Sequence, residues 1–191
     1  MLTSLNNWLI KNAKGWLILV FLAVFLFFSL VVMPSGKTWL GGGTQEAGSI
    51  DITFGAAPAT LFNIVEAHGQ QGRAVYRIFE LTADIAYPVI YSLFLGLTIT
   101  FLFRRIFPLE SKLQKLNLLP FAALLFDVLE NLGIVALLST YPRQITWLAV
   151  ITSLINFIKW ICAGGSSLLV VAGLVGCLVV SHKNPKGLKD L

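Results

Sequence analysis

Four long apolar runs, separated by polar and basic segments, dominate the pattern of this chain. They cover residues 16–34, 74–103, 116–140 and 147–180, and each is long enough to cross the roughly 30 Å hydrocarbon core of a bilayer. A hydrophobic content of 57% with only 12% charged residues also departs from the composition of soluble domains. We therefore predict an all-α fold, an integral membrane four-helix bundle that forms a single domain over residues 1–191.

The segment 35–73, between the first two runs, shows structure of its own. Residues 49–54 (SIDITF) alternate between apolar and polar, which predicts a short strand. Residues 58–69 begin with proline and end with glycine, which predicts a short helix. A structured loop of this length is often functional, for example as a lid over a site, but a plain connector fits the same pattern.

The basic residues are distributed unequally over the two ends of the predicted helices. One end has the sparser set: Lys37, Arg73, Arg77 and Arg143. The other end has the richer set: Lys11, Lys14, Arg104, Arg105, Lys112, Lys115, Lys183, Lys186 and Lys189. The positive-inside rule then places both termini in the cytoplasm and segment 35–73 outside, in a multi-pass protein of the bacterial cytoplasmic (inner) membrane. Because the net charge of +5 follows this topology, we expect no nucleic-acid partner.

Polar side chains recur at helical spacing inside the second run. Glu80, Asp84, Tyr87 and Tyr91 stand at i, i+4, i+7 and i+11, so they share one helix face. Carboxylates at membrane depth are costly and usually face a partner or a cavity. The stripe therefore predicts a ligand-binding surface.

The third and fourth runs have similar stripes. One comprises Asp127, Glu130 and Asn131, and the other comprises Ser153, Asn156 and Lys159. Three polar stripes on three helices most simply face one another, which predicts a funnel that is widest at the outer side. Counting along the helices places Asp127 and Glu130 at its floor and Lys159 near the height of Glu80 and Asp84, where a salt bridge is expected.

The chemistry of such a funnel is limited by the residue types it contains. Asp127 and Glu130 are so close in a medium of low dielectric constant that we expect them to share a proton or a cation. If the protein is an enzyme, these two are the predicted general acid and base. His68 and His182 lie in the loop and the tail, so we expect no haem, no zinc and no other metal or cofactor.

Pro88 interrupts the hydrogen bonding of the second run. A proline inside a helix leaves the carbonyl four residues earlier without its donor, and that carbonyl belongs to Asp84. The free carbonyl coincides with the acidic stripe, where it could admit a ligand or water. Prolines also occur in transmembrane helices for packing alone.

The helix layout resembles a compact bacterial four-helix membrane family without an assigned activity. It is also similar in outline to the emopamil-binding and sigma-2 receptor class of sterol-handling proteins. In that class the second span places a glutamate above an aromatic, proline-containing segment, here FELTADIAYP. The resemblance implies a ligand-binding scaffold with Glu80 and Asp84 as ligand contacts. It does not imply sterol isomerisation, because those isomerases use an intramembrane histidine and the predicted spans of this chain contain none.

The leading hypothesis is that the protein binds a lipid-like or amphiphilic ligand, for which a cationic head group is one option, from the outer leaflet. The predicted ligand-binding residues are Glu80, Asp84, Tyr87, Tyr91, Asn131, Asn156 and Lys159. A membrane lipid or an apolar small molecule is thus the expected partner, and a homo-oligomer is left open. Two alternatives remain at this point, a small proton- or cation-coupled transporter and an assembly partner of another membrane protein.

Overall fold

The computed structural model describes residues 2–35 and 48–183, and these residues form only helices and turns. The helices are α1 (Leu2–Asn12), α2 (Gly15–Phe27), α3 (Pro58–Ala67), α4 (Gly69–Leu81), α5 (Ala83–Ile106), α6 (Leu119–Thr140) and α7 (Thr146–Lys183). Helix α2 continues as a π-helical segment, Phe28–Val32, and a 3₁₀ segment, Lys112–Leu118, leads into α6.

Four helical stretches are long and apolar enough to cross a membrane: Gly15–Ser35, Gly69–Ile106, Lys112–Thr140 and Thr146–His182. The prediction of an all-helical chain with four such stretches is confirmed. Helices α5, α6 and α7 pack against one another, whereas α2 packs extensively only against α5 among the described elements. No residue in the most apolar part of the stretch Gly15–Ser35 is buried inside the protein, so α2 lies at the periphery of the bundle.

The second of these stretches is not one continuous helix. Thr82, with φ −123° and ψ −85°, lies outside the helical region and separates α4 from α5. Its hydroxyl donates to the main-chain oxygen of Ile78 at 2.6 Å, in the last turn of α4. The predicted polar stripe is therefore divided, because Glu80 belongs to α4 and Asp84 to α5.

Residues 48–57, which we call the loop segment, form turns, so the strand predicted over 49–54 is wrong. Three successive side chains, Ser49, Ile50 and Asp51, are all buried, whereas a strand would alternate its faces. Gly55 has φ 58°, a left-handed conformation that glycine adopts without strain and that lets the chain turn back. The short helix predicted after this segment is confirmed as α3.

The two ends of the bundle differ in what covers them. The loop segment and α3 pack at one end, the loop end, where Ile50 joins Leu61 and Ile134 in a buried cluster. Arg104 and Arg105 mark the opposite, basic end. There α1 lies against α5, and Arg104 donates to the main-chain oxygen of Ile10 at 2.7 Å.

Helices α6 and α7 approach each other closely near the loop end. A Cβ atom added at Gly133 would overlap the side chain of Thr152 on α7. Glycine at this position therefore permits a close crossing of the two backbones. The crossing places the polar residues around Glu130 beside those around Asn156.

Candidate functional site: an acidic cavity between α2 and α7

A cavity of about 640 Å³ lies in the half of the bundle nearer the loop end. Its lining comprises Phe25, Ser29, Met33, Asp51, Ile52, Asp84, Tyr87, Tyr91, Phe94, Leu95, Asp127, Lys159, Trp160, Ala163, Gly164, Ser167 and Val170. Helices α2 and α7 both contribute walls without packing extensively on each other, so the cavity opens sideways between them. Its volume is within the ~300–1,000 Å³ of pockets that bury small ligands.

The depth of the cavity follows from the helix positions that line it. On α5 the lining runs from Asp84 to Leu95, and on α7 from Lys159 to Val170. At the helical rise these spans measure about 16 Å. This depth is close to half of the roughly 30 Å hydrocarbon core, which is one leaflet. The polar lining lies toward the loop end, while Phe94, Leu95 and Val170 line the deepest part.

Asp84 and Asp127 are the two aspartates that α5 and α6 present to the cavity. They are only 4% and 6% exposed. The hydroxyl of Tyr91 donates to Oδ2 of Asp127 at 2.9 Å. The side-chain oxygens of Asp84 accept no hydrogen bond from the described residues. Its main-chain oxygen, by contrast, accepts one from Asn131. A largely buried carboxylate without donors from the protein takes its hydrogen bonds from whatever occupies the cavity that it lines.

Lys159 lines the cavity and is paired with Glu130, which lies behind the cavity wall. Its Nζ lies 2.5 Å from Oε2 of Glu130, and Asn156 donates to Oε1 of the same carboxylate at 2.8 Å. The salt bridge predicted between Lys159 and Glu80 or Asp84 is therefore wrong. The close crossing of α6 and α7 brings Glu130 to Lys159, whereas the predicted partners lie on α4 and α5.

The predicted sharing of a proton or cation by Asp127 and Glu130 is not seen in the contacts of the described residues. Asp127 has Tyr91 as its partner, and Glu130 has Lys159 and Asn156. Only Asp127 lines the cavity. The assignment of these two residues as a general acid and base stays a prediction, and among their described contacts none joins them.

Asp51 is the acidic cavity residue that the sequence interpretation missed. Its main-chain oxygen accepts three hydrogen bonds from α7: from Asn156 at 2.9 Å, from Lys159 at 3.1 Å and from Trp160 at 3.2 Å. The sequence held one signal for it, an isolated carboxylate between two isoleucines, but nothing in the spacing placed that carboxylate near α7.

The side chain of Asp51 is oriented by its neighbours at the loop end. Its Oδ1 accepts hydrogen bonds from the hydroxyls of Ser49 and Tyr76, the latter at 3.2 Å. The Tyr76 hydroxyl also accepts from the main-chain N–H of Ile50 at 2.8 Å. Asp51 is 8% exposed and lines the cavity.

The predicted site residues fall into two groups. Those that line the cavity are Asp84, Tyr87, Tyr91, Asp127 and Lys159. Those that lie behind its walls are Glu80, Glu130, Asn131 and Asn156. Glu80 is fully buried, and neither of its carboxylate oxygens has a hydrogen-bond partner among the described residues.

An aromatic wall joins α2 to α5. The hydroxyls of Ser29 and Tyr87 share a hydrogen bond of 3.1 Å, and the ring of Phe25 stacks on Tyr87 with centroids 5.9 Å apart. Tyr87 in turn meets Tyr91 edge to face at 5.6 Å. Ser29 lies in the π-helical segment of α2, and such segments recur at functional sites.

The charges that face the cavity are unbalanced. Asp51, Asp84 and Asp127 line it, while the charge of Lys159 is matched by Glu130. The nearby faces of Tyr87 and Trp160 are surfaces to which cations are attracted. The arrangement therefore favours a positively charged group over an anion. Among the described residues no group of three or more histidine, cysteine or carboxylate side chains has an arrangement that could hold a metal ion.

Comparisons with protein-family models, with curated proteins and with solved structures found no match for this chain.

Proposed function

We propose that this chain is an integral membrane protein that binds one lipid-like amphiphile in the cavity between α2 and α7. The head group lies among the carboxylates near the loop end, and the tail lies against the apolar inner part or leaves through the gap between the two helices. The loop end faces the outside of a bacterial cytoplasmic membrane, and both termini are cytoplasmic, in agreement with the distribution of lysine and arginine. The likeness in layout to the emopamil-binding and sigma-2 receptor class belongs to the same proposal and rests on the sequence alone.

The observation that carries this proposal is the Asp84 side chain. It is buried, lines a cavity that is open sideways, and accepts no hydrogen bond from the described residues. A cationic head group supplies both the charge and the donors that this carboxylate lacks. The depth of about 16 Å matches one leaflet, which suits a ligand that enters from the lipid.

The binding of dodecylamine tests the proposal, with dodecanol and dodecanoate as the neutral and anionic probes of equal chain length. Binding to the protein in nanodiscs is measured through the fluorescence of Trp160, which lines the cavity, with Trp160→Phe identifying its signal. We expect the amine to bind and the anion not to bind. Asp84→Asn should weaken amine binding at least about tenfold, which is about 1.4 kcal/mol.

Glu66→Gln is the matched control, because Glu66 is an exposed carboxylate on α3 that does not line the cavity. This variant should bind the amine as the wild type does. Equal binding of all three probes, or an Asp84→Asn variant with unchanged affinity, would refute the proposal.

A proton-coupled transporter is the second candidate, and Glu80 is the observation that favours it. This carboxylate is fully buried without hydrogen-bond partners among the described residues, and Asp84 and Asp51 lie near enough to act on it electrostatically. Intramembrane carboxylates of this kind carry protons in transporters. Amine uptake into proteoliposomes that depends on a pH gradient, and that Glu80→Gln abolishes, would support transport. Binding without such uptake would exclude it.

A further inference from the structure

The loop segment closes the loop end of the cavity, and α7 holds it by main-chain atoms. Besides the three hydrogen bonds to the oxygen of Asp51, the N–H of Gly55 donates to Oδ1 of Asn156 at 3.1 Å. Ser153 donates to the main-chain oxygen of Ala56 at 2.7 Å. Because α7 binds the backbone of this segment, the side chain of Asp51 takes no part in the attachment to α7.

Lys159 and Asn156 are committed to this attachment. The ammonium of Lys159 is paired with Glu130 and also donates to the oxygen of Asp51. The amide of Asn156 contacts the same carboxylate and the same oxygen. These two residues therefore act as positioning residues for Asp51, and the single positive charge of Lys159 is shared between Glu130 and the three aspartates of the cavity.

The carboxylates of the cavity lie at two depths. Asn131, whose amide meets the main-chain oxygen of Asp84, is four residues nearer the loop end of α6 than Asp127. Four residues of helix correspond to about 6 Å. The side chain of Asp51 accepts from Tyr76 on α4, which precedes α5 at the loop end, so Asp51 and Asp84 form the outer level. Asp127 with Tyr91 forms the inner level.

Four of the carboxylate oxygens at these two levels accept no hydrogen bond from the described residues. Oδ1 of Asp51 accepts from Ser49 and Tyr76, and Oδ2 of Asp127 accepts from Tyr91. The other carboxylate oxygen of Asp51, the other one of Asp127 and both side-chain oxygens of Asp84 accept no hydrogen bond from the described residues. A head group with one positive charge can satisfy one level and leaves the other carboxylate unpaired.

We propose that the ligand is an amphiphile whose head group carries two separated amines, one held by Asp51 and Asp84 and the other by Asp127 with Tyr91. This inference rests on the proposed function, because it names the ligand class of the same cavity. Asp51 is then a specificity-determining residue: it distinguishes a diamine head group from a monoamine.

The test compares dodecylamine with N-dodecyl-1,3-propanediamine, which has the same tail and a second amine three methylene groups away. In nanodiscs of the wild-type protein, the diamine should bind at least roughly tenfold more tightly than the monoamine. Asp51→Asn should weaken binding of the diamine more than that of the monoamine and so remove this difference, because only the diamine uses the carboxylates of both levels at once. Glu66→Gln, away from the cavity, should preserve the difference.

Hydrogen exchange at residues 49–54 separates a direct contact from a structural effect, because Asp51→Asn should leave the protection of this segment unchanged. If Asp51→Asn lost that protection, the Asp127→Asn variant would serve as the test instead. Asp127→Asn should also remove the preference for the diamine, because it removes the carboxylate of the inner level. Equal affinities of the two amines for the wild type would overturn the inference and leave the proposed function standing. Failure of both amines to bind would instead overturn the proposed function.

Discussion

Asn131 donates a hydrogen bond from Nδ2 to the main-chain oxygen of Asp84 at 2.8 Å. That oxygen is the one whose helical donor is removed by Pro88, four residues later. A side chain of α6 thus replaces the missing N–H of α5. Of the two interpretations of Pro88, the contact agrees with packing between helices, because the oxygen predicted to admit a ligand or water is already bonded to the protein. It also fixes the backbone from which the Asp84 side chain projects into the cavity.

This relationship predicts a non-additive pair of substitutions. Asn131→Ala should lower the free energy of unfolding by about 1–3 kcal/mol, because it leaves a buried carbonyl without a donor. In a Pro88→Ala background the same change should cost at least about 1 kcal/mol less, since the new N–H of residue 88 can bond to Asp84. Unfolding of the four proteins in one detergent measures the coupling. Asn117→Ala is the control, since Asn117 bonds instead to Thr100 and its cost should be equal in both backgrounds.

Gly164 offers a way to fill the cavity without disturbing the fold. It lines the cavity, and no atom lies within 4 Å of a Cβ placed there. Gly164→Ala should raise the free energy of unfolding by up to about 1 kcal/mol through helix propensity, with little effect on amine binding. Gly164→Leu should retain the fold and weaken dodecylamine binding at least about tenfold.

Val171→Leu is the control for added volume on α7, because Val171 is exposed on the surface of the bundle and lies outside the cavity. It should leave amine binding unchanged. Full dodecylamine binding by a folded Gly164→Leu protein would contradict the position of the tail in the cavity.

The route of entry can be tested by fixing the loop segment to α7. The Ser153 hydroxyl lies 2.7 Å from the main-chain oxygen of Ala56, so the two positions are neighbours. Cysteines are placed at both, in a background with Cys162 and Cys177 replaced by alanine, and formation of the disulfide is verified by mass spectrometry. Because the cavity opens between α2 and α7, the oxidised and reduced proteins should take up dodecylamine at the same rate in stopped-flow measurements. Uptake that is slow when oxidised and recovers with reductant would show instead that the ligand enters past the loop segment.

The close crossing of α6 and α7 predicts a clash that a second substitution relieves. Gly133→Ala introduces a Cβ into the side chain of Thr152 and should cost about 1–3 kcal/mol of stability. Thr152→Ala alone should cost little, because its hydroxyl bonds only to the Leu148 oxygen in its own helix. The double variant should recover most of the loss in thermal unfolding. A double variant no more stable than Gly133→Ala would show that the two backbones do not depend on this glycine.

Hydrophobic runs and helical spacing were sufficient to predict the four helices and much of one cavity. Asp84, Tyr87 and Tyr91 on one helix, Asp127 on a second and Lys159 on a third do line a common space. The prediction of the lining succeeded because polar side chains on an apolar helix are costly to expose to lipid. They therefore point toward the interior of the bundle, where they meet one another.

Three features could not be obtained in this way. The break at Thr82 has neither glycine nor proline to signal it. Depth counting gives the level of a side chain but not its neighbour, so it could not choose Glu130 as the partner of Lys159. The position of Asp51 depends on hydrogen bonds to residues 105–109 positions later, which no local pattern encodes.

That last separation has a consequence for biogenesis. Ribosomes make the chain from its N-terminus, so the loop segment and the helices α2, α5 and α6 exist before α7, the last described helix, has been synthesised. Until α7 inserts, the oxygen of Asp51 and the carboxylate of Glu130 are both without the partners that α7 supplies. Completion of the cavity therefore coincides with insertion of α7, and a nascent chain that stops short of α7 has the aspartates of the cavity without the wall that encloses them.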